Sequence, residues 1–220
     1  MGKRAIFIRL QDVTFGYDSA RDVLRKLSFT FSEGDRVGLT GPNGSGKTTL
    51  FHIIMGLLKP KEGEVEIFGK KMHDEADYRG ARERIGLLFQ DANDQLFCPT
   101  VAEDIAFGPL NLGKRHDDAL KIVGETLETF GLFGFEDRVT YKLSGGEKKL
   151  ISLATVLAMK PEVLLLDEPT SGLDEETTER IIQVLNRSST SYMIISQDKG
   201  LLAKTTRCIY RMVNGKLEGV

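Results

Sequence analysis

The segment Gly41-Pro42-Asn43-Gly44-Ser45-Gly46-Lys47-Thr48 has the residue types and spacing to hold a phosphate chain. It fits G-x-x-x-x-G-K-[ST], in which glycines let the backbone curl until successive N–H groups converge on one anion. Thr49 carries the chain on into a helix whose N-terminus adds the positive end of its dipole. Lys47 is placed to reach β- and γ-phosphates, and the Thr48 hydroxyl to ligate Mg²⁺. The plainer alternative, a Gly-rich turn that happens to carry a lysine, does not explain the strand and helix that flank it. The pattern predicts a chain that binds a nucleoside triphosphate.

Those flanks are Val37 to Thr40, a short apolar run that reads as a buried strand, and Thr49 to Leu58, a helix with apolar Leu50, Ile53, Ile54 and Leu57. Ile85 to Phe89, Val163 to Asp167 and Tyr192 to Ser196 are likewise short and continuously apolar, the pattern of parallel strands buried on both faces. Ile6 to Phe15 and Val23 to Phe31 alternate instead, as an antiparallel sheet with one exposed face does. From Asp91 to Met159 the pattern turns helical, with stretches at Arg115 to Phe130 and Gly145 to Ala158 separated by Gly131-Leu132-Phe133-Gly134-Phe135. Cys208 to Val213 and Lys216 to Val220 flank Asn214-Gly215, a favourable two-residue hairpin turn. The expected fold class is α/β.

Three further segments narrow the chemistry. Leu143-Ser144-Gly145-Gly146-Glu147 opens a helix, Val163-Leu164-Leu165-Leu166-Asp167-Glu168 ends an apolar strand on two acids, and Ser171-Gly172-Leu173-Asp174 follows directly. In this order, with the phosphate loop, they resemble the ATP-binding-cassette (ABC) ATPases over essentially the whole chain. The Leu-Ser-Gly-Gly segment separates that family from other phosphate-loop proteins. The resemblance implies a single domain: a P-loop NTPase (RecA-like) core with an antiparallel β subdomain, about 1–90 and 160–220, and an inserted helical subdomain, about 91–159. ATP is the nucleotide it implies. Asp167 would then hold Mg²⁺ through water, and Glu168 would act as general base on the water that attacks the γ-phosphate. An acidic pair at a strand end could instead cap a helix or sit in a solvated loop; the apolar run before it and Pro169 after it speak against that. Gln90, after the strand Ile85 to Phe89, matches the glutamine that senses Mg²⁺ and the attacking water. Tyr17 matches the aromatic that stacks on adenine; read alone it would be surface packing on the edge sheet.

The signature segment, Ser144, Gly145, Gly146 and Glu147, is expected to act in trans. A helix start is a phosphate-binding terminus, yet this chain's own loop already wraps the nucleotide, so the signature of another subunit should close on the γ-phosphate. The implied assembly is an ATP-dependent head-to-tail dimer with a second copy of the chain or a related ATPase, in which Asp174 helps couple the two sites. ATP binding favours closure and hydrolysis releases it.

Two positions depart from the family pattern. A His normally follows the last apolar strand, whereas Met193-Ile194-Ile195-Ser196 leads here to Gln197-Asp198. The Gln197 amide can hydrogen-bond a phosphate but carries no imidazolium charge, so turnover should be slowed more than ATP binding. Glu147 stands where Gln is frequent, a mild change. A less general stretch, Phe89-Gln90-Asp91-Ala92-Asn93-Asp94-Gln95-Leu96-Phe97 with Thr100-Val101-Ala102-Glu103-Asp104-Ile105-Ala106-Phe107-Gly108-Pro109, resembles the ATPases of energy-coupling-factor importers for cobalt, nickel or vitamins. That likeness places here the groove for a coupling helix of a transmembrane subunit. Leu96, Phe97 and Phe107 could equally fill the helical subdomain's core; a groove needs a packed floor, so the two readings are compatible.

Composition fits this picture. The chain has 220 residues, 40% hydrophobic and 28% charged, in the ordinary globular range, and a net charge of −2 that gives no electrostatic reason to expect nucleic acid. No apolar run approaches the length that spans a bilayer. Met1-Gly2-Lys3-Arg4-Ala5-Ile6 contains no leader-like apolar stretch, and Cys98 and Cys208, like His52, His73 and His116, form no metal or redox motif. The expected place is cytoplasmic, on the inner face of the cell membrane through a transmembrane partner. A soluble nucleotide-binding regulator with slow hydrolysis is the alternative. Ribosome-acting relatives carry two cassettes per chain, chromosome-maintenance ATPases a long heptad coil, and small-molecule kinases have no use for Leu-Ser-Gly-Gly.

Overall fold

A computed structural model of the chain describes residues 4–18 and 21–220; Met1, Gly2 and Lys3 of the N-terminal reading lie outside the described residues. In chain order, β1 (Ile6–Phe15), β2 (Leu24–Ser32) and β3 (Arg36–Thr40) lead into α1 (Lys47–Ile54). Then come β4 (Glu62–Ile67), β5 (Lys70–Lys71), α2 (Glu75–Arg82) and β6 (Ile85–Leu88). Three helices follow, α3 (Val101–Asn111), α4 (His116–Thr129) and α5 (Gly145–Ala158), before β7 (Val163–Asp167), α6 (Glu175–Arg187) and β8 (Ser191–Ile195). The chain closes with α7 (Lys199–Thr205), β9 (Cys208–Val213) and β10 (Lys216–Gly219).

The two kinds of apolar pattern make two sheets. The two alternating strands, β1 and β2, join β4 and β5, which the sequence reading did not name, in a four-stranded antiparallel sheet in the order β2-β1-β4-β5. The continuous runs build a six-stranded sheet, β10-β9-β3-β8-β7-β6, parallel except for the terminal hairpin. Its central strands serve both faces by period-two alternation. Val163, Leu165, Met193 and Ile195 pack with α1 and the antiparallel sheet, whereas Leu164, Leu166, Tyr192 and Ile194 pack with α3 to α7. The P-loop NTPase architecture expected from the sequence is the one observed.

Three local differences from the sequence reading have physical causes. The helix after the phosphate loop stops at Ile54 and not at Leu58, because Gly56 takes the left-handed conformation (φ 70°) and closes the turn onto the Ile53 carbonyl. Leu57 therefore points outward, about half exposed, instead of lining the core. The Cys208–Val213 strand is more than a hairpin arm: it lies parallel to β3 and extends the core sheet beside the phosphate loop. Asn214 and Gly215 both adopt positive φ, 49° and 76°, as the tight turn requires.

The helical segments dock on β6 at unusually short range. A Cβ on Gly86 would stand 2.2 Å from Val156 Cγ1 of α5 and 3.2 Å from a Leu164 methyl. Gly86 thus sets how close α5 lies to the strand that leads to Gln90.

Candidate nucleotide site

The phosphate loop joins β3 to α1. Gly41, Gly44 and Gly46 have φ of 139°, 73° and 106°, a region that side chains with a Cβ seldom enter. Space is short as well: a Cβ on Gly41 would lie 2.6 Å from the Met212 carbonyl oxygen, and one on Gly46 2.8 Å from a Leu24 methyl. Pro42, Asn43 and Gly44 are exposed, so the loop opens to solvent at its tip.

Lys47 is buried, and its ammonium donates to the carbonyls of Gly41 (2.8 Å) and Pro42 (3.0 Å). The Gln197 amide donates to the same Gly41 carbonyl. Burial lowers the Lys47 pKa, and the carboxylates of Glu168 and Asp167 oppose that shift. A cation held at its own loop, beside a buried Ser45 hydroxyl with no partner among the described residues, makes a cradle of hydrogen-bond donors. These residues fit a nucleotide phosphate chain. Tyr17 stands next to them. Its hydroxyl shares a 3.0 Å hydrogen bond with Thr49 Oγ1, its ring sits edge-on to Phe15 at 5.1 Å, and it is two-thirds exposed, a free face beside the loop.

β7 carries the acidic pair to the same place. Asp167 is buried and its Oδ2 accepts from the Thr48 hydroxyl at 2.7 Å. Burial raises its pKa, which Thr48, His52, Lys149 and Lys47 partly counter. Glu168 lies one residue beyond the strand at φ 46°, left-handed for a residue with a side chain, and its N–H donates to the Ile195 carbonyl at 2.9 Å. Its carboxyl is pushed up first by burial and then by the Asp167 charge, against hydrogen bonds from the Gln197 N–H and the Ser196 hydroxyl. A carboxylate with a raised pKa, within the field of the Lys47 charge, is suited to taking a proton from water.

Thr48, Gln90 and Asp167 line one cleft of about 530 Å³ between the core and the helical segments. Hydroxyl, amide and carboxylate oxygens are the donors a hard cation prefers. Among the described residues no group of three or more His, Cys, Asp or Glu could hold a metal unaided. This sparse oxygen set fits Mg²⁺ arriving with nucleotide phosphate, the usual way Mg²⁺ is bound with few protein ligands.

Gly145 of the signature segment lines the same cleft as Thr48, on its helical side. Ser144 is the N-cap of α5 in a reciprocal capping box: its hydroxyl accepts from the Glu147 N–H at 3.3 Å, and Glu147 Oε2 accepts from the Ser144 N–H at 2.8 Å. Glu147 also accepts from Arg138 at 2.8 Å. Gln at 147 could make the capping bond but not the ion pair, which gives the Glu a local reason. Ser144 and Gly145 are exposed, with Gly146 partly so. Asp174 caps α6 through Thr177, whose N–H and hydroxyl donate to its carboxylate at 2.8 and 3.0 Å and hold its pKa low.

Three residues beside the acidic pair escaped the sequence reading. His52 lines the cleft one helical turn after Thr48 on α1, and that i, i+4 spacing was the available signal. Ser196 is buried beside Glu168. Lys149, four residues after Gly145, is a buried cation on a mainly apolar helix face that also carries Ser152, with nothing in the sequence to mark its partners.

Comparison with known proteins agrees with this geometry. The family model described as ABC transporter matches residues 24–171, more than half of the chain. The chain is 42% identical over 214 residues to the energy-coupling factor transporter ATP-binding protein EcfA of Methanothermobacter thermautotrophicus, covering 96% of this chain and 69% of that protein. Among solved structures it is similar to CbiO1 of Clostridium perfringens, part of the ABC transporter complex CbiONQ (TM-score 0.86, 30% identity, 97% of this chain and 87% of that one). It is equally similar to an ATP-binding cassette solved as a dimer with ADP and phosphate after hydrolysis (TM-score 0.87, 29% identity, 96% of each chain). With its phosphate loop, acidic strand end and signature helix on the fold those relatives share, the chain belongs to the ABC transporter family as an ATP-binding subunit whose ATP hydrolysis is coupled to transport.

Proposed function

We propose that this subunit powers an importer of the energy-coupling-factor type, taking up cobalt or nickel ions or a vitamin, from the cytoplasmic face of the membrane. The observation that carries the reading is a groove of about 460 Å³ bounded by Phe97, Phe107, Gly108 and Leu112 on the helical side and Arg79, Arg82 and Leu87 on the core side. Phe97 is 65% exposed and Phe107 47%, the two rings edge-to-face at 4.8 Å. Large exposed aromatics beside a concave surface suit a helix of a membrane partner. The relatives named EcfA and CbiO support the same class, and no helix among the described residues is long and apolar enough to cross the membrane itself.

In this reading residues 91–159 act as the helical subdomain of one cassette. Gly41 to Thr49 hold the phosphates, Tyr17 the adenine, and Thr48, Asp167 and Gln90 the Mg²⁺. Glu168 takes the proton of the attacking water. Ser144, Gly145, Gly146 and Glu147 complete the site of a second copy or a related ATPase, with Asp174 at the junction. Gln197, hydrogen-bonded to the phosphate loop, slows turnover more than binding.

The test is affinity purification of the tagged chain from detergent-solubilised membranes, with Phe107→Asp as the control. A polytopic membrane protein should be retained by the natural chain and lost with the variant, while ATP binding stays unchanged. A reproducible soluble partner in its place would favour the slow-hydrolysing regulator and end the importer reading.

A further inference from the structure

Lys149 is 4% exposed and, among the described residues, has no carboxylate within ion-pair distance. The charges of Asp167, Asp91 and Glu168 act on it only from a distance, and a buried ammonium without a contacting carboxylate is expensive, so its hydrogen bonds should matter. Its Nζ donates to the carbonyls of Phe89 (3.1 Å) and Gln90 (2.7 Å), the two residues that follow β6. We infer that Lys149 is a positioning residue for hydrolysis: it fastens the loop bearing Gln90 to the signature helix α5, so that α5 and Gln90 move as one piece.

The rest of the attachment supports this. Gln95, at the far end of the loop, accepts from the Phe89 N–H at 3.2 Å and donates to the Ser152 carbonyl at 2.8 Å and the Thr155 hydroxyl at 3.0 Å of α5. Lys148 adds a bond to Asn93 at 2.8 Å. The loop is therefore held to α5 at both ends and the middle, while its strand β6 belongs to the core sheet. When the start of α5 closes on another subunit's nucleotide, these bonds carry Gln90 with it. Lys149 touches no reacting atom; it sets where one loop stands.

The inference rests on the role given to Gln90 above, and the experiment separates the two. Lys149→Met keeps the stem and removes the charge; Lys149→Arg can still donate to both carbonyls. In the full chain with Mg-ATP, Lys149→Met should lower kcat by about 10- to 100-fold with KM for ATP nearly unchanged, and Lys149→Arg should restore most of it. Combined with Gln90→Ala, it should add nothing further, since both changes remove one device. In the nucleotide-free chain, amide hydrogen exchange across residues 90–95 should quicken on Lys149→Met while α4 and β7 keep their protection. Multiplying effects in the double variant, equal losses in kcat and affinity, or unchanged exchange in 90–95 would each overturn the inference. If Gln90→Ala itself left hydrolysis intact, the Gln90 role would fall and this inference with it; a slow Gln90→Ala beside a fast Lys149→Met sinks the inference alone.

Discussion

Lys47 and Gln197 both donate to the Gly41 carbonyl, so a bound phosphate would compete with that carbonyl for the lysine. Gln197 can keep its bond to the loop while ATP sits there, which suits a residue that tolerates binding and contributes little to turnover. Gln197→His should therefore raise kcat, by about 10-fold, with ATP affinity within twofold, as a steady-state phosphate-release assay would read. Glu168→Gln should do the reverse, cutting kcat by about 10²- to 10⁴-fold while equilibrium ATP binding survives. At this scale the sequence was most informative where chemistry is contiguous: Gly41 to Thr48 and Asp167-Glu168 are each one stretch of chain. Lys149 was opaque because its partners, 59 and 60 residues away, are backbone carbonyls without a side-chain signature.

The core strands, along with β1, β2, α4 and α5, were legible as elements, since burial on both faces leaves continuous apolar runs and burial on one leaves alternation; β4, β5 and α6 were not named. Their arrangement was less so. That β9 joins β3 in parallel, or that α5 presses on β6, depends on surfaces that the local pattern does not encode. Gly86 is the position where the second fact becomes measurable. Its added methyl in Gly86→Ala would meet Val156 at 2.2 Å, so the variant should lose about 1–3 kcal/mol of stability in urea. The groove supplies another test. Asp104 is buried, accepts from the N–H groups of Phe97 and Cys98, and has one oxygen without a hydrogen-bond partner among the described residues. Burial raises its pKa. Because the folded pKa exceeds the unfolded one, the folded state favours the protonated acid; that stabilisation is complete at low pH and lost as pH rises through the folded pKa. Asp104→Asn keeps both backbone bonds and cannot ionise. In the free chain it should gain on the natural protein as pH rises from 4 to 7, followed by thermal melts across that range.

Under the proposed function, Ser144 and Gly145, open to solvent at the head of a capped helix, serve a second subunit, and a single copy of this chain is half a machine. Sedimentation should show Glu168→Gln as a dimer in Mg-ATP and a monomer once EDTA removes the metal; a monomer under saturating Mg-ATP would instead require a different ATPase partner. Stability and turnover also pull apart in this molecule. Glu168 is held at φ 46°, a conformation that costs an ordinary residue about 1 kcal/mol and glycine almost nothing. A library of variants screened only for survival of heat would enrich glycine at 168. Its winners would be sturdier proteins that still take up ATP, and an engineer ranking them by melting temperature would be selecting for a stalled motor.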